Sequence, residues 1–287
     1  MKVLAFGEIL WDVFPDKKHL GGASLNFGAH LAKHGHEVYM LSALGQDDLG
    51  AEALKQVQRW NLRQEHIALL ADHATGACIV TLDEKGLPSY DLKNDVAYDY
   101  IPGEADGDFD VLYFGTLALR GNHNRAAVKK LLAEKQFAHI FVDVNIRAPY
   151  YSKETVAFAA ESATILKISD EELGVVAQLL DMEKLEPAAF AKALAAKYTN
   201  LQYVIITLGG DGAYALNCKE GTERTCPCEK VEVVSTVGAG DSFGAAFLHK
   251  LFAGENVEDC LRYAGKVAAY VVSQQPAVPD YSPADFA

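Results

Sequence analysis

Residues 140–168 read IFVDVNIRAPYYSKETVAFAAESATILKI, and this stretch decides the class of fold. Two short apolar runs, Ile140–Val144 and Ile165–Ile168, flank a segment at Lys153–Ser162 whose apolar residues recur at three- and four-residue spacing. That pattern predicts a strand, a helix and a second strand. Strands that are apolar at nearly every position are buried on both faces, as they are in a parallel sheet covered by helices.

The same alternation extends over most of the chain. Further strands are predicted at Val3–Phe6, Val38–Ser42, Val111–Phe114 and Tyr203–Thr207, and further helices at Leu49–Trp60, Asn122–Phe137, Asp170–Leu180 and Pro187–Tyr198. We therefore predict an α/β fold with a doubly wound, mainly parallel sheet and helices on both faces. Because a domain usually takes roughly 100–200 residues, we expect the 287 residues to form a single large domain.

One region, between Ala77 and Asp99, breaks the alternation. An apolar run at 77–82, a turn at Asp83–Gly86 and a period-two run at Pro88–Leu92 predict a β-hairpin without a crossover helix. Such a hairpin either extends an edge of the main sheet or forms a separate small lid.

The charge and cysteine content exclude several classes of function. The chain has 26 Lys and Arg against 39 Asp and Glu, a formal charge of −13, which disfavours binding to nucleic acid or to an anionic membrane surface. No apolar run approaches the roughly 18 residues of a membrane span. Five cysteines are an odd number in a long chain, so we expect free thiols and a cytoplasmic location.

The segment 235–247, STVGAGDSFGAAF, carries the clearest chemical signal. It follows a strand-like run at Val231–Val234 and leads into a segment rich in Ala and Phe. Small residues at Gly238, Ala239 and Gly240 allow backbone N–H groups to approach an anion at a helix start, where the helix dipole is positive. Asp241 is suited to accept a proton from a hydroxyl that attacks a bound phosphate. The alternative is that Asp241 only caps the helix after a glycine turn.

This Gly-Ala-Gly-Asp segment resembles a signature of the ribokinase-like, PfkB-type carbohydrate kinases. Four other segments resemble motifs of that family in the same order along the chain: GEILWD at 7–12, GGASLNFGA at 21–29, LGQDDLG at 44–50 and TLGGDGA at 207–213. Three more are similar to segments of bacterial fructokinases: FGTLALR at 114–120, DVNIRAPYY at 143–151 and LKISDEEL at 166–173.

The resemblance implies an ATP-dependent sugar kinase that uses Mg²⁺, with fructose as the expected substrate. It implies that Asp241 acts as the general base and that Gly238, Ala239 and Gly240 bind the transferring phosphoryl group. The residues it implies for sugar binding are Asp12, Gly21, Gly22, Asn26, Tyr90, Arg120 and Arg147. Those implied for nucleotide binding are Lys167, Thr207, Gly209, Gly212, Gly238 and Gly240, and Glu172 would reach Mg²⁺ through water. The lid would comprise about residues 10–21 and 74–100.

The chemistry of these side chains agrees with the implied roles. Asp12 can accept two hydroxyl hydrogen bonds, and Asn26 can both donate and accept, which suits a buried polyol. The guanidinium of Arg147 could meet a phosphoryl or a substrate oxygen. The alternatives are a solvated loop acid, a helix cap and a surface charge, respectively.

Two substitutions depart from the family pattern. Ser169 replaces the amide of an Asn-x-x-Glu motif that organises magnesium, and Ser235 stands where the family often has an Asp associated with a monovalent-cation site. We therefore expect no dependence on K⁺. The sequence leaves 2-keto-3-deoxygluconate open as a substrate, since Arg147 and Arg120 could pair with its carboxylate, and less readily another sugar or a nucleoside. It also leaves open a homodimer formed through the lid.

Overall fold

The computed structural model describes residues 1–82 and 88–286. The strands are β1 (Lys2–Phe6), β2 (Leu10–Val13), β3 (Lys18–Gly21), β4 (Glu37–Gly45), β5 (Ile67–Leu70), β6 (Gly76–Leu82), β7 (Pro88–Leu92), β8 (Val111–Gly115), β9 (His139–Asp143), β10 (Ile165–Ser169), β11 (Tyr203–Thr207), β12 (Ala213–Asn217) and β13 (Thr222–Cys226). The helices are α1 (Ala23–Lys33), α2 (Asp48–Arg59), α3 (Asn122–Glu134), α4 (Lys153–Ser162), α5 (Leu173–Leu179), α6 (Pro187–Lys197), α7 (Ala239–Phe252) and α8 (Val257–Val272).

The main sheet has the strand order β13-β12-β11-β10-β9-β8-β1-β4-β5. Seven neighbouring strands of this sheet run parallel: β11, β10, β9, β8, β1, β4 and β5. Strands β12 and β13 add an antiparallel edge next to β11. This arrangement confirms the predicted α/β class. Since parallel strands end at one edge of a sheet, the loops that follow β1, β8, β9 and β10 meet at that edge, where α/β proteins bind their ligands.

The core lies on both faces of the main sheet because side chains alternate along each strand. In β1, Leu4 and Phe6 belong to one buried cluster, whereas Val3 and Ala5 belong to the other. Helices α1, α7 and α8 cover the second face, and α3 to α6 cover the first. No helix in the described ranges is long and apolar enough to cross a membrane.

The hairpin of β6 and β7 does not extend the main sheet. It joins β2 and β3 in a second sheet of order β3-β2-β6-β7, which we call the small sheet. Strand β6 runs parallel to β2 and antiparallel to β7. The turn predicted at Asp83–Gly86 lies outside the described residues.

One predicted strand does not form. Residues Val231–Val234 form no strand, and the side chains of all four residues are exposed to solvent. The main sheet ends at β13, so this segment has no neighbouring strand with which to pair. Its valines indicated a strand locally, but strand formation needs a partner as well as a suitable sequence.

Candidate active site

Helix α7 begins at the glycine-rich turn that the sequence singled out. Gly238 precedes the helix with a φ of 83°, in the left-handed region that glycine adopts without strain. A Cβ at this position would lie 2.6 Å from the carbonyl oxygen of Ala277. No side chain caps this end within the described residues. The N–H of Ala239 donates to the carbonyl oxygen of Thr236 at 3.3 Å, so the N–H groups of Gly238 and Gly240 and the helix dipole are the ones available to an anion.

Asp241 lies buried in the first turn of α7, next to α1. The Nδ2 of Asn26 donates a hydrogen bond of 2.8 Å to Oδ2 of Asp241. Burial raises the pKa of Asp241 to about 7, and the nearby carboxyl of Asp143 acts in the same direction. The bond from Asn26 and the charge of Lys167 oppose this rise. A carboxyl with a pKa close to neutral pH is suited to exchange a proton in catalysis.

A buried ion pair stands beside this aspartate. Asp143 and Lys167 occupy paired positions on β9 and β10, and Lys167 Nζ lies 2.8 Å from Asp143 Oδ2. A Cβ on Gly240 would lie 3.1 Å from Lys167 Nζ, so the ammonium reaches the start of α7. The structure thus brings Lys167, predicted to bind nucleotide, to the glycine turn. Sequence reasoning missed Asp143, although an acid at the end of an apolar strand was a signal for it.

Asp12 lies on β2, across from the turn that starts α1. A Cβ on Gly21 would lie 3.2 Å from Asp12 Oδ2, so glycine leaves room for the carboxylate here. Burial raises the pKa of Asp12 to about 6, and the guanidinium of Arg147 opposes that rise. The same guanidinium lowers the pKa of Asp241. Arg147 therefore lies within electrostatic reach of both acids.

Glu8 is a further site residue that sequence reasoning missed. Its Oε1 accepts a 2.9 Å hydrogen bond from the backbone N–H of Ala23, the first residue of α1. Gly22, with a φ of 116°, packs so closely that a Cβ would lie 2.4 Å from the backbone oxygen of Glu8. Glu8 therefore fixes the turn that carries Gly21 and Gly22. Its Oε2 is buried and has no partner among the described residues, and burial raises the pKa of this carboxyl.

Arg120 is engaged elsewhere. Its Nε and Nη2 each lie 2.7 Å from a carboxylate oxygen of Asp99, and Nη2 also donates to the backbone oxygen of Lys93. The guanidinium stacks between the rings of Tyr98 and Tyr150, at 4.8 and 4.9 Å from their centroids. Arg120 thus holds the segment 93–99, which follows β7 of the small sheet. The structure does not bring it to the group around Asp241.

Glu172 uses both carboxylate oxygens on backbone donors. Oε2 accepts a 2.8 Å hydrogen bond from the N–H of Ser169, and Oε1 accepts one from the N–H of Ile146, the residue before Arg147. Among the described residues, no three His, Cys, Asp or Glu side chains group as a metal cage. These residues fit a magnesium ion that arrives on nucleotide phosphates and keeps its waters, rather than one held directly by the protein.

The remaining residues predicted from the sequence lie in different surroundings. Thr207 ends β11, and Gly209 follows with a φ of 54° and open space around it. Gly212 is required by packing, because a Cβ there would lie 2.0 Å from the backbone oxygen of Cys226. Tyr90 lies in β7, opposite residue 80, and its side chain is outside the described part of the structure. Ser235 donates its N–H to the carbonyl oxygen of Val272.

The fold and this site define a class of enzyme, a kinase in which a buried acid lies beside a helix start that is open to phosphate. The family model of the pfkB family carbohydrate kinases matches residues 4–283. The chain belongs to this family, so it is a phosphotransferase whose acceptor is a sugar hydroxyl. Asn26 binds Asp241, and the exposed Arg147 acts on Asp241 and Asp12 through its charge; the roles that the resemblance implies for these residues stay predictions.

The relatives of this chain are named for several different kinase activities. It is 29% identical to the aminoimidazole riboside kinase of Salmonella typhimurium, over 87% of this chain and 81% of that protein. It is 24% identical to the probable fructokinase-5 of Arabidopsis thaliana (99% and 95%) and 25% identical to the 5-dehydro-2-deoxygluconokinase of Listeria innocua (90% and 82%).

Solved structures of similar fold contain bound ligands. The fructokinase of Vibrio cholerae O395, crystallised with fructose, ADP and a calcium ion, superposes with a TM-score of 0.84 at 20% identity, over 99% of this chain and 98% of that one. The aminoimidazole riboside kinase of Salmonella enterica, crystallised with aminoimidazole riboside and an ATP analogue, gives 0.83 at 25% identity, over 100% and 98%.

Proposed function

We propose that this protein is a fructokinase, which transfers the γ-phosphoryl group of ATP to the terminal primary hydroxyl of fructose. The observation that carries the choice of a neutral sugar is the balance of charge in the cleft. Glu8, Asp12 and Asp241 stand near a single arginine, Arg147, whereas Arg120 is bound by Asp99. Above about pH 7 both Asp12 and Asp241 are ionised, so a substrate carboxylate would meet two negative charges against the one positive charge of Arg147, and like charges disfavour binding.

The chain's own residues account for the recognition of a polyol. Asp12 accepts hydrogen bonds from two sugar hydroxyls, and Gly21 leaves room for the ring against the backbone. The Oδ1 of Asn26 is buried without a partner among the described residues. Since an unmade hydrogen bond costs free energy when it is buried, a sugar hydroxyl that donates to this oxygen is favoured.

Proton transfer falls to Asp241. Asn26 holds Oδ2, so Oδ1 of the same carboxylate faces the attacking hydroxyl and accepts its proton. The N–H groups of Gly238 and Gly240, together with Lys167, stabilise the negative charge on the transferring phosphoryl group, and that of Ala239 would join them on leaving the carbonyl oxygen of Thr236. Mg²⁺ on the nucleotide phosphates would neutralise part of their charge, and Glu172 would reach it through water.

The small sheet acts as the lid in this proposal. The lid would comprise this sheet and its flanking residues, about 10–21 and 74–100, of which 83–87 lie outside the described residues. Since it carries Asp12, it would bring a sugar-binding acid over the cleft. Among the described residues, its separate buried cluster comprises Leu10, Cys78, Val96 and Tyr98, while Trp11 and Leu20 pack into the main core. Elements with few buried apolar contacts open readily. Closure over the sugar excludes water and so prevents hydrolysis of ATP.

The test is an assay of ADP release with ATP and Mg²⁺, across fructose, aminoimidazole riboside, ribose, 2-keto-3-deoxygluconate and 5-dehydro-2-deoxygluconate. We expect the highest kcat/KM with fructose, and equal rates with and without K⁺ because Ser235 supplies no carboxylate. Higher kcat/KM with either acid would overturn the argument from charge, and higher kcat/KM with aminoimidazole riboside would keep a neutral substrate but reject fructose.

A further inference from the structure

His30 lies on α1 one helical turn after Asn26, and both of its ring nitrogens bind one distant segment of the chain. Nε2 lies 3.0 Å from the carbonyl oxygen of Ala277, and Nδ1 lies 2.7 Å from the hydroxyl of Tyr281. The side chain is fully buried. The two hydrogen bonds therefore join α1 to a segment about 250 residues further along the chain.

The carbonyl oxygen defines how the ring is protonated. Burial lowers the pKa of His30 to about 3, so the ring is neutral at physiological pH. A carbonyl oxygen can only accept a hydrogen bond, and therefore Nε2 carries the proton and donates it to Ala277. Nδ1 is then an acceptor, and the hydroxyl of Tyr281 donates to it. Neither nitrogen of His30 remains free for another partner.

Ala277 lies between His30 and the glycine turn of the candidate active site. A Cβ on Gly238 would lie 2.6 Å from the Ala277 oxygen and 2.8 Å from the Ala277 Cβ. The carbonyl that contacts Gly238 is thus the one that accepts the proton of His30 Nε2. Helix α1 therefore touches the site twice: Asn26 binds Asp241, and His30 holds the residue packed against Gly238.

We propose that His30 is a positioning residue for the phosphoryl-binding turn: it holds Ala277 against Gly238, so that the N–H groups at the start of α7 keep their directions as charge develops. The inference rests on the proposed role of that turn in phosphoryl transfer. Donors that are already oriented stabilise a transition state without the cost of reorganisation. Without the bond to Ala277 the segment 275–281 is free to move away from Gly238, and the turn loosens.

The variants separate this role from simple packing. His30→Leu removes both hydrogen bonds, His30→Gln keeps an N–H donor for Ala277, and Tyr281→Phe removes only the bond to Nδ1. The matched control is Tyr263→Phe. It removes a tyrosine hydroxyl that lies 3.0 Å from Nε2 of His34, the buried histidine that follows α1, and it breaks neither hydrogen bond of His30 to segment 275–281.

Misplacement of a catalytic group by about 1 Å can cost 10²-fold, so we expect His30→Leu to lower kcat by roughly tenfold or more and to weaken ADP binding. The KM for fructose should stay within about twofold because the sugar-binding residues keep their partners. We expect His30→Gln to recover most of the rate and Tyr263→Phe to retain it. Wild-type kcat in His30→Leu, or an equal loss in Tyr263→Phe, would overturn the proposal.

Two readouts need no turnover. Calorimetric titration with ADP and hydrogen exchange of the peptide 236–242 report on the turn itself, and we expect faster exchange in His30→Leu and not in Tyr263→Phe. If wild-type protein fails to phosphorylate any sugar, the proposed function falls, while this difference in exchange would still support the role of His30. If His30→Leu does not fold, His30→Gln and Tyr281→Phe decide: intermediate exchange in Tyr281→Phe supports the proposal, and exchange equal to wild type contradicts it.

Discussion

The main sheet and the small sheet hold their functional side chains in different ways. At the main sheet, Asp241 and Lys167 are buried, and each is hydrogen-bonded to a neighbouring side chain. On the small sheet, Asp12 is half-buried. Among the described side chains of that sheet, Leu10 and Cys78 lie in a separate small cluster, while Trp11 and Leu20 pack into the main core. The groups proposed to act in phosphoryl transfer are therefore held by buried hydrogen bonds, as a precise geometry requires, whereas the acid proposed to bind the sugar is half-buried on the small sheet.

This difference separates two kinds of kinetic effect. A substitution at the main sheet removes an interaction made in the transition state, so it should lower kcat. A substitution on the small sheet removes an interaction made on binding the sugar, so it should raise the KM for that sugar. Each prediction below tests one side of this division.

The largest effect is expected for Asp241→Asn. The amide cannot accept the proton of the attacking hydroxyl, so turnover should fall by roughly 10²–10⁴-fold. The fold and the affinity for ADP should persist, since the substitution keeps the shape of the side chain. The measurements are kcat with fructose and calorimetric titration with ADP. Turnover close to wild type would remove Asp241 from the role of base.

The second effect concerns the turn itself. Gly238→Ala introduces a Cβ at a φ of 83° and 2.6 Å from the Ala277 oxygen, so we expect losses of both stability and kcat. Strain of this kind costs of the order of 1–3 kcal/mol. The matched control is Gly35→Ala, where φ is 80° but nothing lies within 4 Å. Unfolding in urea should show a smaller loss for the control, with kcat unchanged; equal losses of stability and rate in the two variants would contradict a special packing of Gly238.

The third effect belongs to the small sheet. Asp12→Ala removes an acceptor of sugar hydroxyls, and a hydrogen bond to a charged group contributes about 1.5–3 kcal/mol, which corresponds to a roughly 10- to 150-fold higher KM for fructose. The KM for ATP and the value of kcat at saturating sugar should change far less. A loss confined to kcat would show that Asp12 acts in the chemical step, and the division between the sheets would then fail.

The sequence predicted those features of the site that depend on residues close together in the chain, and it missed those that depend on distant partners. Local patterns identified the alternating strands and helices and the turn Gly238–Gly240, because periodicity and glycine content act over a few residues. The sequence could not show that Arg120 pairs with Asp99, since an arginine forms an ion pair with whichever acid the fold brings near. The role proposed for His30 was equally hidden, because its partners lie in a segment that no local pattern connects to α1.

The last prediction concerns pH and has the smallest magnitude. Asp241 must be deprotonated to act as base, and burial raises its pKa to about 7, so kcat/KM should rise as the pH increases through about 7 and level off above it. Arg147 lowers the pKa of both Asp241 and Asp12. Removal of its charge in Arg147→Gln should therefore move the rising limb to higher pH.

Arg120→Gln supplies the matched control for this shift. Arg120 is not among the groups that change the pKa of Asp241, and its partner Asp99 neutralises it within hydrogen-bonding distance. The rising limb of its profile should therefore coincide with that of the wild type. A shift in this control as large as that in Arg147→Gln would mean that the pH dependence arises from the lid and its supports.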